Sequence, residues 1–473
     1  MSIQEVLSSS GIDFGTSGAR GLVEDFTNDV CAAFTAAFLK VMGENSRVQR
    51  VALGCDLRPS SPGMVQACSA AAKALGVEVD NYGALPTPAL ALKAMTDGIP
   101  AIMVTGSHIP FDRNGIKFYR PDGEITKADE LAIMAADGPL PHTVDVEMAG
   151  EVNRAASDQY KDRYAKWFSG KPLNGWKVGL YQHSAVGRDL NQDVLERLGA
   201  EVTALGRSES FVPVDTEAVS EDDKTRGTEW SSQYAFDAIL TTDGDGDRPL
   251  LADESGTWLR GDIVGLLCAR ELGIEALAIP VSCNTAIEAC GAFAEVVRTR
   301  IGSPYVLAEM EQLARRYERV AGFEANGGFL LGSAITQGDY RLSPLRTRDA
   351  LLPALTLMVT AAKASKTLSQ LVNGLPERYT ASDRLKDFPR EKSLQLLAKW
   401  EQEWNAMVDG LSLDSDVEAV DITDGLRATL VSGEVVHLRP SGNAPELRCY
   451  AEAASESRAS ELVRRVLGGI QAV

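Results

Sequence analysis

No apolar run in the 473 residues approaches the roughly 18 needed to cross a bilayer, so no membrane span is expected. The opening stretch MSIQEVLSSSGIDFG has neither a basic start nor an apolar core, which excludes a secretory signal peptide there and leads us to expect a cytoplasmic location. Seven cysteines are present, but none forms a C-x-x-C pair. That odd, scattered set argues against a disulfide framework, a redox pair or a structural zinc site, and predicts buried thiols. Basic charge is also short. The chain carries 66 acidic against 47 basic side chains, a formal charge of −19, so its surface should repel nucleic acid and anionic membranes. Any anionic substrate must meet a locally basic pocket. No low-complexity segment and no G-x-G-x-x-G dinucleotide fingerprint is found.

What is there reads as a soluble protein of roughly three or four domains. From residue 50 the pattern alternates: apolar RVALGCDL, an Ala-rich helical stretch at 62–75, VEVDNYG, a helical 88–96, then apolar AIMV. That is a βαβα unit with parallel strands. The rhythm restarts at WKVGLYQHS (176–184) with a helix near 188–198, and at ALAIPVSCN (276–284) with a helix near 285–293. The last hundred residues differ. A long helical stretch at 389–410 and the alternating runs GLRATLV and EVVHLRP predict antiparallel strands packed under helices. The predicted domains are 1–150, 151–252, 253–368 and 369–473, three α/β units and one α+β unit, with a hinge near residue 368. In open α/β sheets the chemistry sits in loops at the carboxyl ends of strands.

Five loops carry suggestive residues. VTGSHIPFDRNGIKFY (104–119) places Ser107, expected to be exposed, directly after an apolar strand, with His108 beside it and Lys117 ten residues on. TTDGDGDRP alternates Asp243, Asp245 and Asp247 with glycines. Three close carboxylates repel unless they share a cation, and hard oxygen ligands without His or Cys indicate Mg²⁺ more than Zn²⁺; the alternatives are a solvated acidic turn or a calcium loop. GFEANGGF (322–329) leaves Glu324 and Asn326 as the polar side chains of a bare loop, suited to gripping sugar hydroxyls or to a plain hairpin turn. LRPSGNAPELRCY (438–450) gathers Arg439, Ser441, Gly442, Asn443 and Arg448, either a phosphate clamp or a turn with two flanking arginines. DFGTSGARG (13–21) offers Arg20 on a further glycine-rich loop.

Together and in this order, FGTSGARG, GCDLRPS, GALPTPA, TGSHIPFDRNGIKFY, DGDGDR, FEANGG and RPSGNAPELR resemble the α-D-phosphohexomutase family, which includes phosphomannomutases, phosphoglucomutases and phosphoglucosamine mutases. The resemblance spans essentially the whole chain. It implies three similar α/β domains with mixed sheets and a C-terminal α+β domain, heart-shaped around a central cleft. It also implies an intramolecular phosphotransferase that interconverts hexose 1-phosphate and 6-phosphate through a phosphoserine and a 1,6-bisphosphate, which also serves as activator. On that resemblance Ser107 carries the phosphoryl group, and Ser107, Asp243, Asp245 and Asp247 hold Mg²⁺. Arg20 and Lys117 neutralise developing charge, with Lys117 also a candidate acid/base and His108 a neighbour of the phosphate. Arg248, Glu324, Asn326, Arg439, Ser441, Gly442, Asn443 and Arg448 bind the sugar phosphate. The expected partner is that small molecule, on a monomer or homodimer.

The chain departs from the family pattern at several points. TGSHIP stands where Thr-Ala-Ser-His-Asn-Pro is usual, Asn326 where Ser is usual, and Ser303 where members often have His or Asp, which leaves Ser303 without a role. Phosphoglucosamine mutases usually end the sugar loop in Ser-Gly-His, whereas Gly328 stands here and favours a hexose without the amino group. Mannose is favoured, with glucose compatible. The rival readings are a phosphoglucosamine mutase, a non-catalytic sugar-phosphate-binding paralogue, and a phosphomonoesterase that uses the same serine.

Overall fold

The computed structural model describes residues 1–15, 18–44, 47–141, 150–411, 413–441 and 445–472. Its first three sheets share one plan. In the first, Arg50–Cys55 lies between parallel strands Glu78–Ala84 and Ala101–Val104, and the latter pairs antiparallel with Arg113–Arg120. In the second, Lys177–Tyr181 lies between Glu201–Leu205 and Ala238–Thr242, with Pro249–Ala252 as the antiparallel return. In the third, Ala276–Pro280 lies between Glu295–Thr299 and Val320–Phe323, with Phe329–Leu331 returning. The central strands are buried almost throughout, as strands covered by helices on both faces must be.

This plan positions the site. Each sheet has one turn between its last parallel strand and the antiparallel return, at residues 105–112, 243–248 and 324–328. Those turns carry Ser107, the three aspartates, and Glu324 with Asn326. The C-terminal sheet is antiparallel throughout, in the order Tyr379–Leu385, Leu447–Ala453, Val435–Pro440, Leu426–Leu430, Val417–Asp421.

Two helices differ from expectation. The helix expected near 285–293 is one turn, Ala286–Ala289, because the chain reaches Gly291 at φ +64, the left-handed region that ends helices. The stretch at 389–410 is two helices, Arg390–Gln402 and Trp404–Leu411, broken at Glu403 where ψ turns to 71.

The cores explain how the units are joined. One apolar cluster runs from Ala52 to Leu371 and takes side chains from all three α/β units, while a separate cluster from Leu385 to Ile470 is confined to the C-terminal unit. The expected boundary at 368 falls within packed chain. Leu368 and Leu371 are buried in the shared core and Leu375 packs on it, so the chain leaves that core only near 376–378. All seven cysteines are free thiols, buried except for the half-buried Cys290. Among the described residues, no helix is long and apolar enough to cross a membrane.

Candidate active site

Ser107 follows the strand Ala101–Val104 in a left-handed turn with φ +54, a conformation that is uncommon for a non-glycine residue and needs support. The support is Arg58. Its guanidinium donates to the carbonyls of Ser107 (2.9 Å), Ile109 (2.5 Å), Pro110 (2.7 Å) and Arg113 (3.0 Å), is paired with Asp56, and lies 3.9 Å over the Phe211 ring. A Cβ at Gly106 would come within 2.6 Å of the Arg58 guanidinium carbon, so the glycine that stands where Ala is usual makes room for this anchor.

The turn tucks Ser107 inward. Its side chain is buried, contrary to the exposed serine expected, because its Oγ donates to Asp243 Oδ2 at 2.6 Å and residues 108–110 line the cavity in its place. Asp243, Asp245 and Asp247 are all buried, and one oxygen from each lies within 4.8 Å of the others. Gly246 at φ +72 permits the tight turn that gathers them. Burial together with the other two carboxylates pushes Asp243 well above the usual carboxylate range. Burial also opposes charge on Asp247, but Arg348, Lys117 and Arg248 more than offset it and hold that residue well below.

The cluster fits Mg²⁺. Asp245 Oδ1 and Asp247 Oδ1 are buried without a hydrogen-bond partner, a costly state for carboxylate oxygens that a hard divalent cation would relieve. Their other oxygens are occupied. Lys117 Nζ lies 2.5 Å from Asp245 Oδ2 and 2.8 Å from Asp247 Oδ2, and Thr87 Oγ1 donates to Asp245 Oδ2 at 2.6 Å. Lys117 reaches them because it sits opposite Met103 on the adjacent strand. His108 Nδ1 accepts from Arg248 at 2.8 Å and stands 3.4 Å from Ser107 Oγ. Burial and Arg248 push that imidazole down to about 3. It is therefore neutral, with Nδ1 engaged by Arg248. Burial, Arg248 and Arg348 lower Arg20 to about 10.

Above this floor is a cavity of about 820 Å³ lined from all four units, including Arg20, Arg248, Glu324, Asn326, Arg439 and Arg448. Asn326 Oδ1 accepts from the Gly328 amide at 3.0 Å, and its carbonyl accepts from Thr216 at 2.9 Å, so the 324–328 loop is braced from within and from the second unit. Arg439 and Arg448 face each other across adjacent strands, and Ser441 also lines the cavity. Gly442 and Asn443 lie outside the described residues. Ser303 is buried just behind the cavity wall, donating to Glu124 and accepting from the lining residue Arg348 at 3.1 Å.

Four residues that sequence reasoning did not assign hold the site: Asp56, Arg58, Thr87 and Arg348. The first three lie inside GCDLRPS and GALPTPA, the stretches already singled out. Arg348 sits in TRDA, which carries no local signal.

Models of the phosphoglucomutase/phosphomannomutase family match residues 11–136 (α/β/α domain I), 260–379 (α/β/α domain III) and 388–468 (C-terminal domain). A phosphomannomutase of Salmonella muenchen is 51% identical over 469 residues, covering 99% of this chain and 97% of that protein. The chain belongs to the phosphoglucomutase/phosphomannomutase family, the α-D-phosphohexomutases. A phosphoglucosamine mutase of Alcanivorax borkumensis is more distant from this family member, 29% identical over 472 residues, with 96% of this chain and 97% of that protein covered. The fold of the present chain matches the crystal structure of a putative phosphomannomutase from Thermus thermophilus with a TM-score of 0.74 at 21% identity, covering 98% of each chain.

Proposed function

We propose that the protein is a phosphohexomutase, interconverting hexose 1-phosphate and hexose 6-phosphate with mannose favoured, through phosphorylated Ser107 and a hexose 1,6-bisphosphate. The observation that carries this reading is the 2.6 Å bond from Ser107 Oγ to Asp243, which puts the hydroxyl inside the three-aspartate cluster. Asp243, Asp245 and Asp247 would hold Mg²⁺, which would neutralise phosphoryl charge and polarise phosphorus there. In the first transfer the bond between phosphorus and Ser107 Oγ breaks as a bond to a sugar hydroxyl forms and that hydroxyl's proton leaves; in the second the phosphoryl group at the other end of the bisphosphate returns to Oγ, which gives up its proton, and the sugar oxygen it leaves takes one up. Lys117, committed to two carboxylates, suits charge neutralisation better than proton abstraction. Arg248 steadies neutral His108 and presents charge to the phosphoryl oxygens.

The two-ended recognition supports a mutase over a phosphatase. Glu324 and Asn326 would grip hydroxyls common to both poses of the bisphosphate, while Arg439, Ser441 and Arg448 hold the phosphate that is not reacting. Mannose over glucosamine is supported by 51% identity to a phosphomannomutase against 29% to a phosphoglucosamine mutase. Free thiols throughout suit a reducing compartment, in keeping with a cytoplasmic enzyme.

Coupled assays on mannose, glucose and glucosamine 1-phosphates, primed with a hexose 1,6-bisphosphate, test the reading. We expect the highest kcat/KM on mannose 1-phosphate, one phosphate on Ser107 by peptide mapping, and loss of activity in Ser107→Ala. Release of inorganic phosphate as the main product, or a fully active Ser107→Ala variant, would sink it.

A further inference from the structure

Gly328 and Arg348 contend for one volume. A Cβ at Gly328 would stand 2.6 Å from Arg348 Cδ, 2.7 Å from Cγ and 3.0 Å from Cβ, so the arginine stem fills the space a side chain would take. Of the two glycines here it is Gly327, at φ +88, whose backbone needs glycine; Gly328 answers to space.

From that slot the guanidinium joins two loops of the site. Its Nε and Nη2 both donate to Asp247 Oδ2 at 3.0 Å, and its Nη1 donates to Glu324 Oε2 and to Ser303 Oγ at 3.1 Å each. Ser303 and Thr347 both donate to Glu124 behind it, which fixes the base of the arrangement. The Arg348 side chain is only 2% exposed, yet it forms part of the cavity wall beside Glu324. A buried planar fork that grips Asp247 along one edge and Glu324 from its remaining nitrogen holds direction as well as charge, which an ammonium cannot do.

We propose that Arg348 is the positioning residue of the sugar grip: it holds the Glu324 carboxylate in one orientation against the Asp247 loop, and Gly328 is the slot that admits it. This rests on the mutase reading above. A sugar that must be gripped in two opposite poses needs a carboxylate that does not swing between them. Loss of orientation should therefore weaken both poses alike.

The test is Arg348→Lys, which keeps the charge and loses the fork. KM for hexose 1-phosphate and for hexose 6-phosphate should rise by the same factor, about tenfold. Competitive inhibition by inorganic phosphate, which brings no sugar hydroxyl to Glu324, should stay within about twofold of wild type. A purely structural role would instead lower the melting temperature and the active fraction, and with them kcat, at parental KM. Gly328→Ala displaces the stem with every charge retained. It should raise KM in the same way, and should add nothing in an Arg348→Ala background, where the space is empty. If Arg348→Lys does not fold, Gly328→Ala and this pair of variants decide the matter. Parental KM, a parallel rise in the phosphate inhibition constant, or additive effects of the pair would overturn the proposal while the wild type remains an active mutase. A wild type that turns over no hexose phosphate would overturn the mutase reading, and this inference with it.

Discussion

Two buried histidines show how single residues tie stability to pH. His183 Nε2–H donates to the Thr242 carbonyl at 2.9 Å and His437 Nε2–H to the Asp424 carbonyl at 2.7 Å, while the Nδ1 of each is buried without a partner. Burial pushes both down from 6.5 to about 4. Between those values the unfolded chain binds the proton and the folded chain does not, so stability is complete above 6.5 and is lost as pH falls towards 4. Each histidine should contribute a slope of about 1.4 kcal/mol per pH unit in that window. Urea midpoints measured from pH 7.5 to 4.5 check this, and His437→Gln should flatten the decline. At the same scale, Asp245→Ala is expected to lower kcat about a thousandfold, because it removes a buried carboxylate from the proposed cation site and leaves Lys117 half-paired. Full turnover in excess chelator would argue against a metal role.

At the scale of elements, the decisive parts are turns, and turns were the most legible part of the sequence. The alternation Asp-Gly-Asp-Gly-Asp announced convergent oxygens because glycine permits the bend and carboxylates demand a cation. The parallel strands were legible as apolar runs, but their antiparallel returns were not. Phe329–Leu331 is only three residues long, too short for a period to show. Arg58 and Arg348 were illegible for another reason. Each acts on a loop distant in sequence, and no local pattern distinguishes a buried tethering arginine from a surface one. The loop between Val417–Asp421 and Leu426–Leu430 is a further such case. Its Asp424 accepts from the Ile301 amide at 3.0 Å and from Arg439 Nε at 2.9 Å, tying Arg439 to the third unit. Arg439→Ala should raise KM about tenfold or more, as loss of a charged contact to phosphate implies. Asp424→Ala should raise it less, by releasing Arg439 from one fixed direction. Steady-state kinetics on both variants checks the order.

At the scale of the molecule, the C-terminal unit has its own core and meets the rest through bonds such as those of Asn284 to Arg378 and Thr380, Thr285 to Glu452, and Arg300 to Thr423. Polar contacts of this kind exchange with water at little cost, so the unit should shift as a body about residues 376–378. We expect small-angle scattering to show compaction when a hexose bisphosphate binds; an unchanged radius of gyration would count against closure.

The single apolar cluster from Ala52 to Leu371 has a different consequence, in the order of synthesis. A nascent chain that has emerged only through its first α/β unit still lacks the partners for the helix Thr87–Asp97, which packs on Ala155–Trp167 and on Leu345–Asp349, so part of that face stays open until the third unit leaves the ribosome. Until then the emerging chain is a client for holding chaperones. The C-terminal unit, whose cluster from Leu385 to Ile470 is its own, can condense as soon as it appears.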